Sequence, residues 1–184
     1  MSTVTTYLNL VKPAPLENFS RATYNTNLDL IDANALAASK QAKGIVQDPL
    51  IKIASSGFVT ALTVIDNIAS VAFKGGRKYL IVWDFTYQGN TAGNYLTALI
   101  GTAATTDAAG LTTGITQLNG RPWKIQDASI DSSGQVSVVY RPVSDITLQL
   151  KFLIQITTGA GNARISASST QPTTYTIYDQ GAQF

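Results

Sequence analysis

"YLIVWDFTY", residues 79–87, alternates without a break. Tyr79, Ile81, Trp83, Phe85 and Tyr87 fall on one side of an extended chain, and Leu80, Val82, Asp84 and Thr86 on the other, because successive side chains of a strand point to opposite faces. TLQLKFLIQI, residues 147–156, repeats the pattern. Leu148, Leu150, Phe152, Ile154 and Ile156 share one face, and Thr147, Gln149, Lys151 and Gln155 share the other. The two apolar faces are expected to meet as the inner faces of a β-sandwich.

Working outward, Val136, Val138 and Tyr140 alternate with Ser137 and Arg141, and Ala163, Ile165 and Ala167 with Arg164, Ser166 and Ser168. Shorter strands are expected at 58–65, 69–74, 95–100, 123–130 and 174–179. Gly75-Gly76, Gly89-Asn90, Asn119-Gly120, Ser133-Gly134 and Gly159-Ala160-Gly161 read as turns between them. Short alternating strands uninterrupted by a helix pattern imply a mainly β, antiparallel sandwich, and a jelly roll suits a domain of this size. Residues 101–117, rich in Gly, Thr and Ala, are expected to form a long surface loop.

The first 50 residues differ. Pro13 and Pro15 favour an extended arm over 1–18, and Ser20 can cap a helix. From there Tyr24, Leu28, Ile31, Ala35, Ala38, Ala42 and Ile45 recur at spacings of four and three, a heptad seam. Gly44 and Pro49 are expected to end it. The seam either packs on the chain's own β domain or joins copies in a bundle, and so short a seam is marginal by itself. The organisation is thus an arm and helix over 1–50 and a β domain over 51–184.

Composition excludes several chemistries. Charged residues make up 13% of the chain, about half the usual fraction, and the net charge is +2 with no Lys/Arg run, so nucleic acid is not an expected partner. There is no Cys and no His, which removes thiol nucleophiles, disulfides, imidazole bases and Cys/His zinc sites. Glu17 is the only glutamate and the aspartates are scattered. Asp127 and Asp131 flank a turn but lack the glycine and terminal glutamate of a calcium loop. No catalytic residues, metal or cofactor are expected. No apolar run is long enough to span a membrane, so no insertion is expected. The opening residues lack the pattern of a secretory signal, so synthesis and solubility in a cytoplasm are expected.

Binding is the better-supported chemistry. NGRPW, residues 119–123, is expected to bring Asn119, Arg121 and Trp123 together at a turn, where amide, guanidinium and indole would suit a sugar or an aromatic group. The competing reading makes Trp123 a core residue at the start of a strand, since tryptophans are highly buried on average. QGNTAGNY, 88–95, is a second polar loop, closed by Tyr95.

The stretch LNLVKPAPLENFSRATYNTNLDLIDA resembles the openings of tailed-bacteriophage fibre, minor tail and related virion proteins. The matching positions are Leu10, Pro13, Glu17, Phe19, Asn25, Asn27, Leu28, Ile31 and Asp32. Phe73, Gly76, Arg77 and Tyr79 resemble a hairpin that recurs in jelly-roll fibre domains. Thr170, Pro172, Asp179 and Gly181 resemble the last strands of such proteins. The likeness covers about a third of the chain, and no long shaft is present. It implies a short homotrimeric knob located in the virion, with Leu10, Pro13, Phe19, Asn25 and Asn27 docking on other virion proteins. Tyr24, Leu28, Ile31, Ala35 and Ala38 would join the copies. Tyr95, Asn119, Arg121 and Trp123 would face a host cell-surface glycan. The alternative is a monomeric carbohydrate-binding β-sandwich, for which the helix seam has no role.

Overall fold

The computed structural model describes residues 3–4, 11–12, 25–29, 31 and 45–182. The chain divides into two units, Met1–Val46 and Gln47–Phe184. In the first, strands β1 (Thr3–Val4) and β2 (Val11–Lys12) pair antiparallel, and residues 25–29 and 31 are helical. Leu28 and Ile31 remain 41% and 42% exposed. Asn25 and Asn27 belong to the same helical stretch. Leu10, Pro13, Phe19, Tyr24, Ala35 and Ala38 lie outside the described residues.

Ile45 does not end the heptad seam. It opens strand β3 (Ile45–Lys52), and Pro49, expected to stop a helix, sits inside that strand. β3 is the outermost strand of its sheet, and an edge strand tolerates a proline because only one of its sides is paired.

Eight more strands follow: β4 (Thr63–Phe73), β5 (Arg77–Gly89), β6 (Tyr95–Ala103), β7 (Thr116–Lys124), β8 (Ser132–Tyr140), β9 (Ile146–Thr158), β10 (Ala163–Ser166) and β11 (Thr173–Ala182). One sheet runs β3-β11-β5-β8, with β10 beside the end of β5, and the other runs β4-β9-β6-β7. Every pairing with a described register is antiparallel. The chain passes between the sheets as it goes: β3 in the first, β4 in the second, β5 in the first, β6 and β7 in the second, β8 in the first, β9 in the second, β11 in the first. That order is the two-Greek-key connectivity of a jelly roll.

The strands at 79–87 and 147–156 meet as their alternation predicts. Tyr79, Ile81, Trp83 and Phe85 share one buried cluster with Leu150, Phe152 and Ile154, and Leu148 packs against its rim. Trp83 lies edge-on to Phe152 at 5.4 Å, and Tyr175 of β11 lies 4.3 Å from the same phenylalanine ring. Each fully buried side chain of this size contributes on the order of 1.5–3 kcal/mol by leaving water.

The connection from β4 to β5 is not the expected hairpin, since β4 lies in the second sheet and β5 in the first, but it gives each residue of the fibre-like pattern a physical role. Gly76 adopts φ 70°, a left-handed turn conformation that suits glycine. Phe73 meets Tyr79 edge-on at 5.0 Å, and the Tyr79 hydroxyl accepts the Lys74 N–H at 2.8 Å. Arg77 Nε donates to Asp179 Oδ2 at 2.6 Å, tying the start of β5 to the last strand. Lys74 Nζ reaches Asp145 Oδ2 at 2.7 Å, and that hydrogen bond holds the exposed Asp145 carboxyl below its ordinary range.

Several expected boundaries move. The strands expected at 58–65 and 69–74 are one strand, β4, and the start of the first is reduced to a bridge between Val59 and Ala163. The strand expected at 123–130 lies earlier, as β7. Ser133-Gly134, read as a turn, sits inside β8. The loop expected over 101–117 contracts to 104–115 and lies against the outer face of the second sheet. Gln149 Nε2 donates to Ala104 O at 3.0 Å and Asp107 O at 2.7 Å. Lys151 Nζ donates to Ala108 O at 3.0 Å and Leu111 O at 2.8 Å. Lys151 is therefore wholly buried, with its charge met by carbonyl dipoles.

Candidate functional site

Asn119, Arg121 and Trp123 come together, but not at a turn. They are alternate residues of β7, opposite Ile100, Ala98 and Leu96 of β6. Those three partners are buried in the core, so the β7 residues share the inner face. β7 is the last strand of its sheet, and its inner-face side chains reach β8 of the other sheet. Gly120 and Pro122, which suggested a turn, both fit an edge strand. A Cβ at Gly120 would run into the Leu99 side chain, and Pro122 tolerates its missing donor on an edge.

Asn119 Nδ2 donates to Ser137 O at 2.7 Å, and its Oδ1 accepts the Gly120 N–H at 2.9 Å. Asn119 thus stitches the two sheets together. Trp123 is half-buried, with its indole edge-on to Phe85 at 5.3 Å. The Arg121 guanidinium lies 5.7 Å from the centre of the Trp123 ring, within cation–π reach. Trp123 therefore serves the core, as the competing reading has it, and also presents ring surface at the rim.

Beside this pair opens a cleft of about 500 Å³. Its walls come from Asp84, Phe85 and Thr86 of β5, Ser133, Gly134 and Gln135 of β8, Arg121 and Trp123, and Gln171 and Pro172 before β11. Gly134 is what lets the rings approach β8, since a Cβ there would stand 2.7 Å from the Phe85 ring. Gln135 Nε2 donates to Asp84 Oδ1 at 2.5 Å. The cleft thus offers a guanidinium, a carboxylate with its amide partner, hydroxyls, and an aromatic edge. This donor and acceptor set is able to form directional hydrogen bonds with polar groups. The outward position of Asp84 was visible in the sequence, but nothing local paired it with Gln135.

Tyr95 does not line this cleft. It opens β6, 38% exposed, opposite Lys124 and Thr158. The loop before it is committed to structure. Asn94 is buried and donates to Ala160 O at 2.5 Å, and Asn90 exchanges hydrogen bonds with Asn162. Asp131 accepts from Ser166 Oγ at 3.2 Å. Among the described residues there is no cluster of side chains able to hold a metal ion.

No protein-family model and no curated protein matches the chain. Solved structures similar to it include a mutant VP2 protein of infectious bursal disease virus. There the identity is 12% and the TM-score 0.37, over 74% of this chain and 37% of that one. The VP2 subviral particle of the same virus gives 12% identity and a TM-score of 0.36, over 75% and 39% of the two chains. A CocE/NonD family hydrolase from Staphylococcus aureus gives 9% and 0.31, over 72% and 37%. The chain spans less than two fifths of the length of these proteins. Likeness at this level carries no argument about activity or partners.

Proposed function

We propose that the chain is a non-enzymatic structural protein of a bacteriophage virion. In this reading it forms a short trimeric knob, attached by its N-terminal arm and contributing to host-surface adsorption through the sandwich. The observation that carries it is the exposure of Leu28 and Ile31 on a helical stretch, 41% and 42%. Apolar side chains of a heptad seam that keep this much exposed surface would be completed by the same stripe on other copies. The fibre-like residues of the arm (Leu10, Pro13, Phe19, Asn25 and Asn27) supply the docking segment. Tyr24, Ala35 and Ala38 extend the seam, and the cleft beside Arg121 and Trp123 supplies the surface for a glycan.

The test is sedimentation and thermal melting of Leu28→Asp/Ile31→Asp. In a trimer the double variant places six carboxylates along one axis, where burying unpaired charge is costly. The expected result is monomers with a folded sandwich. A trimer that persists with both aspartates present refutes the stalk and moves the subunit contact to the β domains. A wild-type chain that sediments as a monomer favours the second reading, a carbohydrate-binding module, which the polar cleft also suits.

A further inference from the structure

Asn119 is the single asparagine of the chain that is followed by glycine. The fold demands that glycine, because a Cβ at position 120 would run into the Leu99 side chain. The same absence leaves the peptide nitrogen after Asn119 without the steric cover a side chain would give. β7 is the last strand of its sheet, so one of its sides faces no neighbouring strand. Asn119 itself is exposed to water.

A pleated strand normally keeps a side-chain carbonyl away from the next amide nitrogen, since side chains stand off from the main chain. Here the two are together. The Gly120 N–H donates to Asn119 Oδ1 at 2.9 Å, so the nitrogen stands beside the carbon that carries that oxygen. Asn119 Nδ2 points elsewhere, donating to Ser137 O at 2.7 Å. A nucleophile and a leaving group therefore lie on different sides of one amide carbon. Asn90, which is also exposed, is arranged differently. Its Oδ1 accepts the Asn162 N–H at 2.8 Å and the Thr91 hydroxyl at 3.1 Å, and the residue after it is a threonine.

We propose that Asn119 is a self-modifying site, where the folded chain converts the side-chain amide to a carboxylate without an enzyme. Hydroxide takes the Gly120 amide proton, the nitrogen bonds to Asn119 Cγ, and the Cγ–Nδ2 bond breaks. Ammonia leaves with a proton from water, which restores the hydroxide. Water then opens the cyclic imide at either carbonyl. One opening leaves an aspartyl linkage, and the other an isoaspartyl linkage that carries the main chain through the side chain. Both products lose the Nδ2 donor, so Ser137 O loses its partner and meets an acceptor instead, which is costly. The new carboxylate stands two residues from Arg121 on the same face of β7, where it offers the guanidinium an ion-pair partner. The conversion thus loosens the stitch between the sheets and changes the charge beside the cleft. The inference does not rest on the virion reading, since it concerns a single folded sandwich.

The test is incubation of the full chain at mildly alkaline and mildly acidic pH, with the same chain in urea alongside. Peptide mapping by mass spectrometry and an isoaspartate assay follow each sample in time. In the folded chain at alkaline pH, Asn119 is expected to convert at least about tenfold faster than Asn90, a barrier lower by about 1.4 kcal/mol. The rate is expected to fall on acidification, because the first step needs hydroxide. Conversion no faster than at Asn90, or confined to the urea-unfolded chain, would show that the strand protects the pair, and overturn the proposal. Asn119→Gln keeps the amide but closes a larger ring more slowly, and it is expected to abolish the acidic species that builds up on ion exchange. Undiminished build-up in a folded Asn119→Gln would overturn the proposal as well. The wild-type peptide map decides alone if the variant does not fold.

Discussion

The outer faces of β8 in the first sheet and β9 in the second are of opposite character. On the first, Ser133, Gln135, Ser137 and Val139 of β8 stand in water. On the second, Gln149, Lys151 and Leu153 of β9 and Leu99 of β6 are buried, although they point away from the core. The cause is the segment 104–115, which lies across the second face and is held there by four donations from Gln149 and Lys151. Alternation along a strand therefore states which way a side chain points, and a neighbouring loop decides whether that direction is wet.

The largest effect should come from the layer both sheets share. Phe152 sits one residue from Lys151 on β9 and points the other way, into contact with Trp83 and Tyr175. Phe152→Ala should lower stability by about 3–5 kcal/mol, read from urea denaturation. A near-wild-type midpoint would mean that the inner layer is not the common foundation of the two faces.

A smaller loss should follow Lys151→Met, which keeps length and removes the charge. The Ala108 and Leu111 carbonyls would lose their donor, at about 1–3 kcal/mol. Amide exchange over residues 104–115 should speed up while the strands stay protected, making the second face resemble the first. Unaltered exchange in that segment would show that the lysine does not hold the loop.

The gentlest probe is alkaline pH. Tyr175 lies on the inner face, and burial, reinforced by Asp66, raises its pKa in the folded chain. An unfolded tyrosine ionises near pH 10. The folded state therefore holds the proton more tightly, and the resulting stability is fully present below about pH 10 and lost as pH rises beyond it. The loss should not exceed about 1.4 kcal/mol per pH unit. Melting temperature should fall from about pH 10 upward, and Tyr175→Phe should flatten that fall. An equally steep fall in the variant would assign it to other tyrosines.

The jelly roll was legible where strands are long and their aromatics alternate, as in β5 and β9. It was hidden where one residue type has two uses. Gly120 and Pro122 looked like a chain reversal and Pro49 like a helix stop. They instead serve edge strands, where one unpaired side excuses a proline and a glycine makes room for Leu99. The candidate cleft was half visible: Arg121 and Trp123 stood out in NGRPW, but Asp84 and Gln135 join them only through the pairing of β5 with β8. The inward turn of Asp66 was not visible at all. It depends on a bulge that turns one aspartate inward, and a bulge has no signature in a single sequence when no glycine marks it.

The clasp on segment 104–115 has a further consequence, for how this protein can change over generations. Its four acceptors are the main-chain carbonyls of Ala104, Asp107, Ala108 and Leu111. The bonds are indifferent to what those residues carry as side chains. Gln149 and Lys151 must stay as they are, while the segment they grip is free to exchange its outward chemistry and keep its course. Inheritance can therefore fix the grip and let the displayed residues drift, which separates the part of the molecule that must persist from the part that can be rewritten.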